Sequence, residues 1–157
     1  MLRSSTSRVA APAAGAPRLR AWPQPVAGTG LAFDVPGGRA APGAARRVLE
    51  EREGALPQGA RADLLLLVSE LVSNAVLHGG IGADGRIGVR LDQEPGHVRV
   101  EVNDGGSGFD WERRRRERPR REGGFGLALV ERIAERWGIE RENGLTRVWF
   151  ELTTHRR

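Results

Sequence analysis

Three stretches of this 157-residue chain predict an α+β fold, a two-layer sandwich with helices on one face of a mostly antiparallel, mixed sheet. Two alternating runs, Ile87/Val89/Leu91 and Val98/Val100/Val102, are joined by Gln93-Glu-Pro-Gly96 and read as a β-hairpin with one buried face. The apolar segment from Asp63 to Gly79 carries Leu64, Leu67, Leu71 and Ala75 on one side at helical spacing, the mark of a long helix against a core. Near the end, Asn143-Gly144 separates Ile139–Glu142 from Leu145–Leu152, the strongest short-range hairpin signal a sequence can give.

In chain order, residues 1–29 are dominated by Ala, Pro, Gly, Ser and Arg and cannot bury enough surface to order themselves, so they read as a disordered tail ahead of a domain over 30–153. Leu31 to Val35 is a short strand closed by Pro36-Gly-Gly38. A first helix follows from Pro42 to Glu53, with Ala45, Val48 and Leu49 at its apolar positions and proline at its start. The central helix runs from about Ala60 to Leu77 and is stopped by Gly79-Gly80. After the hairpin, the strand enters Asn103-Asp-Gly-Gly-Ser-Gly108, where only a turn is plausible. The arginine-rich stretch 109–122 lacks apolar periodicity and reads as a mobile loop. Gly123-Gly-Phe-Gly126 then opens a helix with Leu127, Val130, Ile133, Ala134 and Trp137 at helical spacing.

Composition removes several function classes. With no cysteine, disulfides and thiolate metal sites are excluded, which fits a reducing compartment. No apolar run approaches the roughly 18 residues needed to cross a bilayer. Pro12 and Pro17 interrupt the apolar residues near the start, so no secretory signal is expected and a cytoplasmic location is. All 25 basic residues are arginine. A P-loop needs its lysine, and so does a eukaryotic-type protein kinase, so the chain is neither. Of the net charge of +5, residues 1–30 supply +4 and residues 110–122 supply +3, leaving a slightly acidic body at −2. That distribution argues against a folded nucleic-acid-binding surface, although Arg113-Arg-Arg-Arg116 keeps a salt-sensitive electrostatic version open.

Within the central helix, Glu70 and Asn74 lie four residues apart and so share a face. Taken alone, a carboxylate and an amide there are most simply a solvent edge or a mutual hydrogen bond. Downstream, Asp104-x-Gly106-x-Gly108 follows a strand, and Gly124-x-Gly126 stands at a helix start beyond the charged loop. Each is ordinary by itself. In this order they resemble the ATP-binding domain (GHKL or Bergerat type) shared by histidine kinases, type II topoisomerases, a class of ATP-dependent chaperones and MutL-type repair proteins. The likeness spans about residues 31–152 and extends to Gly144-Leu-Thr146.

The resemblance implies ATP and Mg²⁺ as cofactors and gives each motif a role. Asp104 would accept a hydrogen bond from the exocyclic amine of adenine. Guanine presents an acceptor there, so one carboxylate can select the base. Gly106 and Gly108 would let the backbone approach the purine. Thr146 would support Asp104, directly or through water. Asn74 would give its amide oxygen to Mg²⁺, which prefers few protein ligands. Gly124, Phe125, Gly126 and Leu127 would form the nucleotide-binding turn, with freed N–H groups facing the phosphates. Residues 109–123 would be the lid. Glu70 would be the catalytic base that takes a proton from an attacking hydroxyl.

The histidines are His78, His97 and His155, none on an upstream helical hairpin, so a phosphoaccepting histidine kinase is not expected. Among single-domain members, Ser69-Glu-Leu-Val-Ser-Asn-Ala-Val-Leu-His-Gly79 is most similar to the anti-sigma-factor serine/threonine kinases of bacteria. That likeness implies a homodimer that binds a sigma factor and phosphorylates an antagonist protein. One departure stands out: Glu122, beside Arg121, occupies the place where some of those kinases carry an arginine. A carboxylate there repels phosphate, which leaves open a non-catalytic module that uses ATP as an allosteric ligand.

Overall fold

A computed structural model describes residues 30–52, 58–79, 81–82, 84–104, 125–142 and 145–154. The elements are β1 (Gly30–Pro36), α1 (Ala41–Arg52), α2 (Gln58–His78), β2 (Arg86–Glu94), β3 (His97–Asp104), α3 (Phe125–Ile133), β4 (Arg136–Glu142) and β5 (Leu145–Thr153). The strands form one sheet in the order β1-β2-β3-β5-β4. Each of its four pairings is antiparallel, so no mixed pairing occurs among the described strands. The expected tail at 1–29 and the whole of the expected lid at 109–123 lie outside the described residues.

The hairpin turn forms where Pro-Gly predicts it. Glu94 pairs with His97, and Gly96 takes φ = 86°, a conformation open to glycine and costly for most other residues. Alternation along β3 puts Val98, Val100 and Val102 on one face, where each is at most 2% exposed. Against that face packs α2, through Leu64, Leu67, Val68, Leu71 and Val72. Burying a side chain of this kind stabilises the fold by roughly 1.5–3 kcal/mol, so this seam is the main support of the domain. α2 also contacts α1 and α3. A helix with neighbours on two sides and a sheet beneath needs apolar residues over most of its circumference, which explains its nearly unbroken run of leucine and valine.

The sheet's other face holds a network of charges. The Arg99 guanidinium donates to Glu151 at 2.9 Å and to Glu101 at 3.0 Å. Arg136 reaches the second oxygen of Glu151 at 3.3 Å. Arg99 also stacks on the ring of Trp149, 4.0 Å from its centroid. That ring lies over Gly138 of β4, where an added Cβ would sit 2.8 Å from it. Those residues correct one sequence expectation. Trp137 falls at helical spacing after Leu127, yet α3 ends at Ile133 and Trp137 lies on β4 opposite Phe150. Strand pairing beneath Trp149 requires Gly138, and a sheet edge outweighs one more turn of helix.

Candidate functional site

Period-two alternation carries one step past the valines of β3. Asp104 closes that strand on the same face as Val98, Val100 and Val102, so its carboxylate enters the layer between sheet and helices and is only 6% exposed. Its cross-strand neighbours are Ile87 on β2 and Thr146 on β5. Thr146 is 2% exposed, and its Oγ1 has no hydrogen-bond partner among the described residues.

Asp104 and Thr146 line a recess with Leu71, Asn74 and Ala75 of α2, Val102 of β3, Leu127 of α3, Ile139 of β4 and Val148 of β5. Apolar walls with three convergent polar groups are the usual make-up of a small-molecule site. The recess encloses about 20 Å³, the space of a single water molecule. A buried hydroxyl without a protein partner beside a buried carboxylate fits a ligand that completes the hydrogen bonds, since such groups are normally satisfied.

Four of the residues expected from sequence thus come together: Asn74, Asp104, Leu127 and Thr146. Glu70 is half-buried on α2 and lies outside the recess lining. Four residues before Asn74, it stands about 6 Å further along the helix axis. Phe125 and Gly126 are the first two residues of α3, where the opening N–H groups of a helix have no intrahelical acceptor. Gly106, Gly108 and Gly124 lie outside the described residues. Among the described residues, no group of three or more His, Asp and Glu side chains could hold a metal ion. An ion joined to Asn74 would therefore depend on phosphate oxygens and water for its other ligands, as Mg²⁺ commonly does.

Sequence reasoning missed the apolar walls contributed by Ile139 and Val148, which come from the far end of the chain. It also read Gly79 as a helix stop only. In the structure Gly79 is buried at the end of α2 and abuts the Asp104 carboxylate. Its signal was its place directly after His78 on the Asn74 helix, but a terminal glycine has a sufficient explanation without a site.

A buried acceptor in an apolar slot, a carboxamide at its wall and a helix N-terminus nearby, on an α+β frame, are compatible with a nucleotide-binding domain. Residues 39–152 match the family described as the histidine kinase-like ATPase domain, and the chain belongs to that family. It is an ATP-binding domain of GHKL type. Among solved structures, the chain is similar to the catalytic domain of the histidine kinase ThkA in a nucleotide-free form. The identity is 23%, with 60% of this chain and 68% of that one covered and a TM-score of 0.48. No curated protein matches the chain significantly. No helix among the described residues is long and apolar enough to cross a membrane.

Proposed function

We propose that this domain is an ATP- and Mg²⁺-dependent protein serine/threonine kinase of the anti-sigma-factor type. The observation that carries the reading is the placement of Glu70. It stands one helical turn from Asn74, which lines the recess, and is itself off the base-binding end. In this reading the carboxylate faces the groups beyond the base, where a triphosphate would extend.

In this reading Asp104 accepts the adenine 6-amino hydrogen bond and Thr146 holds that carboxylate through water. The N-terminal amides of α3 face the phosphates. Asn74 would hold Mg²⁺ by its carboxamide oxygen, and the ion supplies neutralisation of phosphate charge. Glu70 takes the proton of a serine or threonine hydroxyl on an acceptor protein. The hydroxyl oxygen then bonds to the γ-phosphorus, the bond to the β,γ-bridging oxygen breaks, and ADP leaves. The domain works as a cytoplasmic homodimer whose partners are a sigma factor and an anti-sigma-factor antagonist.

The test is transfer of labelled γ-phosphate to a cognate antagonist. Glu70→Gln is expected to reduce transfer at least 100-fold while ATP affinity stays within about twofold, the size usual for loss of a general base. Equal transfer by Glu70→Gln and the unmodified protein overturns the kinase reading. Glu122 favours a second reading, a non-catalytic regulator that binds its partner only with ATP. In that case partner affinity depends on nucleotide and no phosphoprotein forms.

A further inference from the structure

We propose that Gly79 is a positioning residue for base recognition: by lacking a side chain, it lets the end of α2 close against Asp104 and fix the carboxylate that reads adenine. The inference rests on the assignment of Asp104 as the base-reading group.

The argument starts from what does not require glycine at this position. A glycine that ends a helix in the left-handed conformation has a positive φ. Among the described glycines only Gly38 and Gly96 do, so the backbone at Gly79 lies outside the region that excludes other residues. What glycine supplies here is space. A Cβ at residue 79 would lie 3.1 Å from both Cγ and Oδ2 of Asp104, and it would also run into the carbonyl oxygen of Ala75. That carbonyl already accepts the Gly79 N–H at 2.8 Å, so the last turn is held tightly where it stands.

A side chain can therefore be accommodated only if the last turn of α2 gives way, because the Ala75 carbonyl is closer to it than Asp104 is. Movement of that turn unseats the carboxylate of Asp104, whose cross-strand neighbours are Ile87 and Thr146. Hydrogen bonds weaken steeply with misalignment, so a few tenths of an ångström with a tilt is enough to lose the bond to the 6-amino group. The same helix carries Asn74, and Ala75 lines the recess. Seating of its last turn on Asp104 therefore sets the base-reading group and the α2 wall together. Gly79 acts through Asp104 and does not itself touch the reacting atoms.

The experiment compares ATP with purine riboside 5′-triphosphate, which lacks only the 6-amino group, by calorimetric titration of the full chain. The unmodified protein is expected to bind ATP at least tenfold more tightly than the analogue. Gly79→Ala should reduce that ratio below threefold by weakening ATP, with analogue affinity changed less than twofold. Equal weakening of both nucleotides, as a purely structural role predicts, overturns the inference, and so does an unchanged ratio. Asp104→Ala serves as the reference. If it loses the ratio and Gly79→Ala keeps it, the inference about Gly79 alone fails; if Asp104→Ala keeps it, the reading of Asp104 fails first. Should Gly79→Ala not fold, the amide resonance of Gly79 in the unmodified, labelled protein decides. It is expected to shift differently with ATP and with the analogue, and identical shifts overturn the inference.

Discussion

Asp104→Asn isolates charge from shape at the base-binding end. The amide has nearly the volume of the carboxylate, so the slot between Ile87 and Thr146 stays filled and the fold is expected to persist. With Asp104 only 6% exposed, little bulk water screens its bond to the ligand. A hydrogen bond to a charged group contributes about 1.5–3 kcal/mol and a neutral one about 0.5–1.5. The exchange therefore costs ATP roughly 1–1.5 kcal/mol, or about 5- to 12-fold in Kd. For GTP the change has the opposite sign. Its O6 faces an acceptor in the unmodified site, whereas the Asn amide can turn to present N–H₂ to it. The ATP/GTP preference should fall by more than the loss in ATP affinity, on the order of 30- to 150-fold from a combined 2–3 kcal/mol. Competition of each nucleotide against a fluorescent ATP analogue measures both constants. Equal weakening of ATP and GTP, or no change in their ratio, would refute the claim that this side chain reads the base.

Thr146→Val keeps side-chain shape and removes the buried hydroxyl, so melting without nucleotide should stay level or rise by a few degrees while ATP affinity falls about 3- to 10-fold; a lower melting temperature with intact affinity contradicts the site. Asn74→Ala should leave ATP affinity in excess chelator within about twofold and abolish the gain on adding Mg²⁺, and a gain that persists removes Asn74 as the ion's ligand. Gly138→Ala forces a Cβ into the Trp149 ring and should destabilise the domain by about 1–3 kcal/mol in denaturant melts without altering ATP/GTP preference.

How much of this could be read from the chain depends on whether a residue's reason is local. The burial of Asp104 follows from the beat of Val98, Val100 and Val102 continued by two residues, and the oddity of Glu70 and Asn74 is plain on a helix made of leucine and valine. Thr146 was legible only through a resemblance, because its partner lies 42 positions away across a strand pairing that alternation alone does not specify. Trp137 was misplaced because Leu127, Val130, Ile133 and Ala134 establish a helical rhythm that it happens to continue. What breaks that rhythm is a tertiary demand, the fit of Trp149 over Gly138. Arg99, Glu101 and Glu151 fall on the polar beat of their strands. Their pairing across β3 and β5 with Trp149 covering Arg99 becomes visible only once the strand order is known.

The two ends of the site are built from different material, and that bears on what each can control. The end proposed to bind the base rests on cross-strand neighbours in the interior of the sheet, Asp104 and Thr146, both almost fully buried and joined to elements that pair along their whole length. Groups held this way need little ordering when a ligand arrives, so their hydrogen bonds appear in affinity nearly undiminished. The other end is assembled from helices: Asn74 and Glu70 on α2, and the N-terminus of α3, whose contact with the sheet is confined to β4 among the described strands with more than marginal contact. In the proposed reading, small displacements of α3 relative to α2 would change how phosphates are met without disturbing Asp104. Choice of base and handling of phosphate then rest, in that reading, on different elements, and Gly79 lies at their junction, where the end of α2 meets the carboxylate on the sheet.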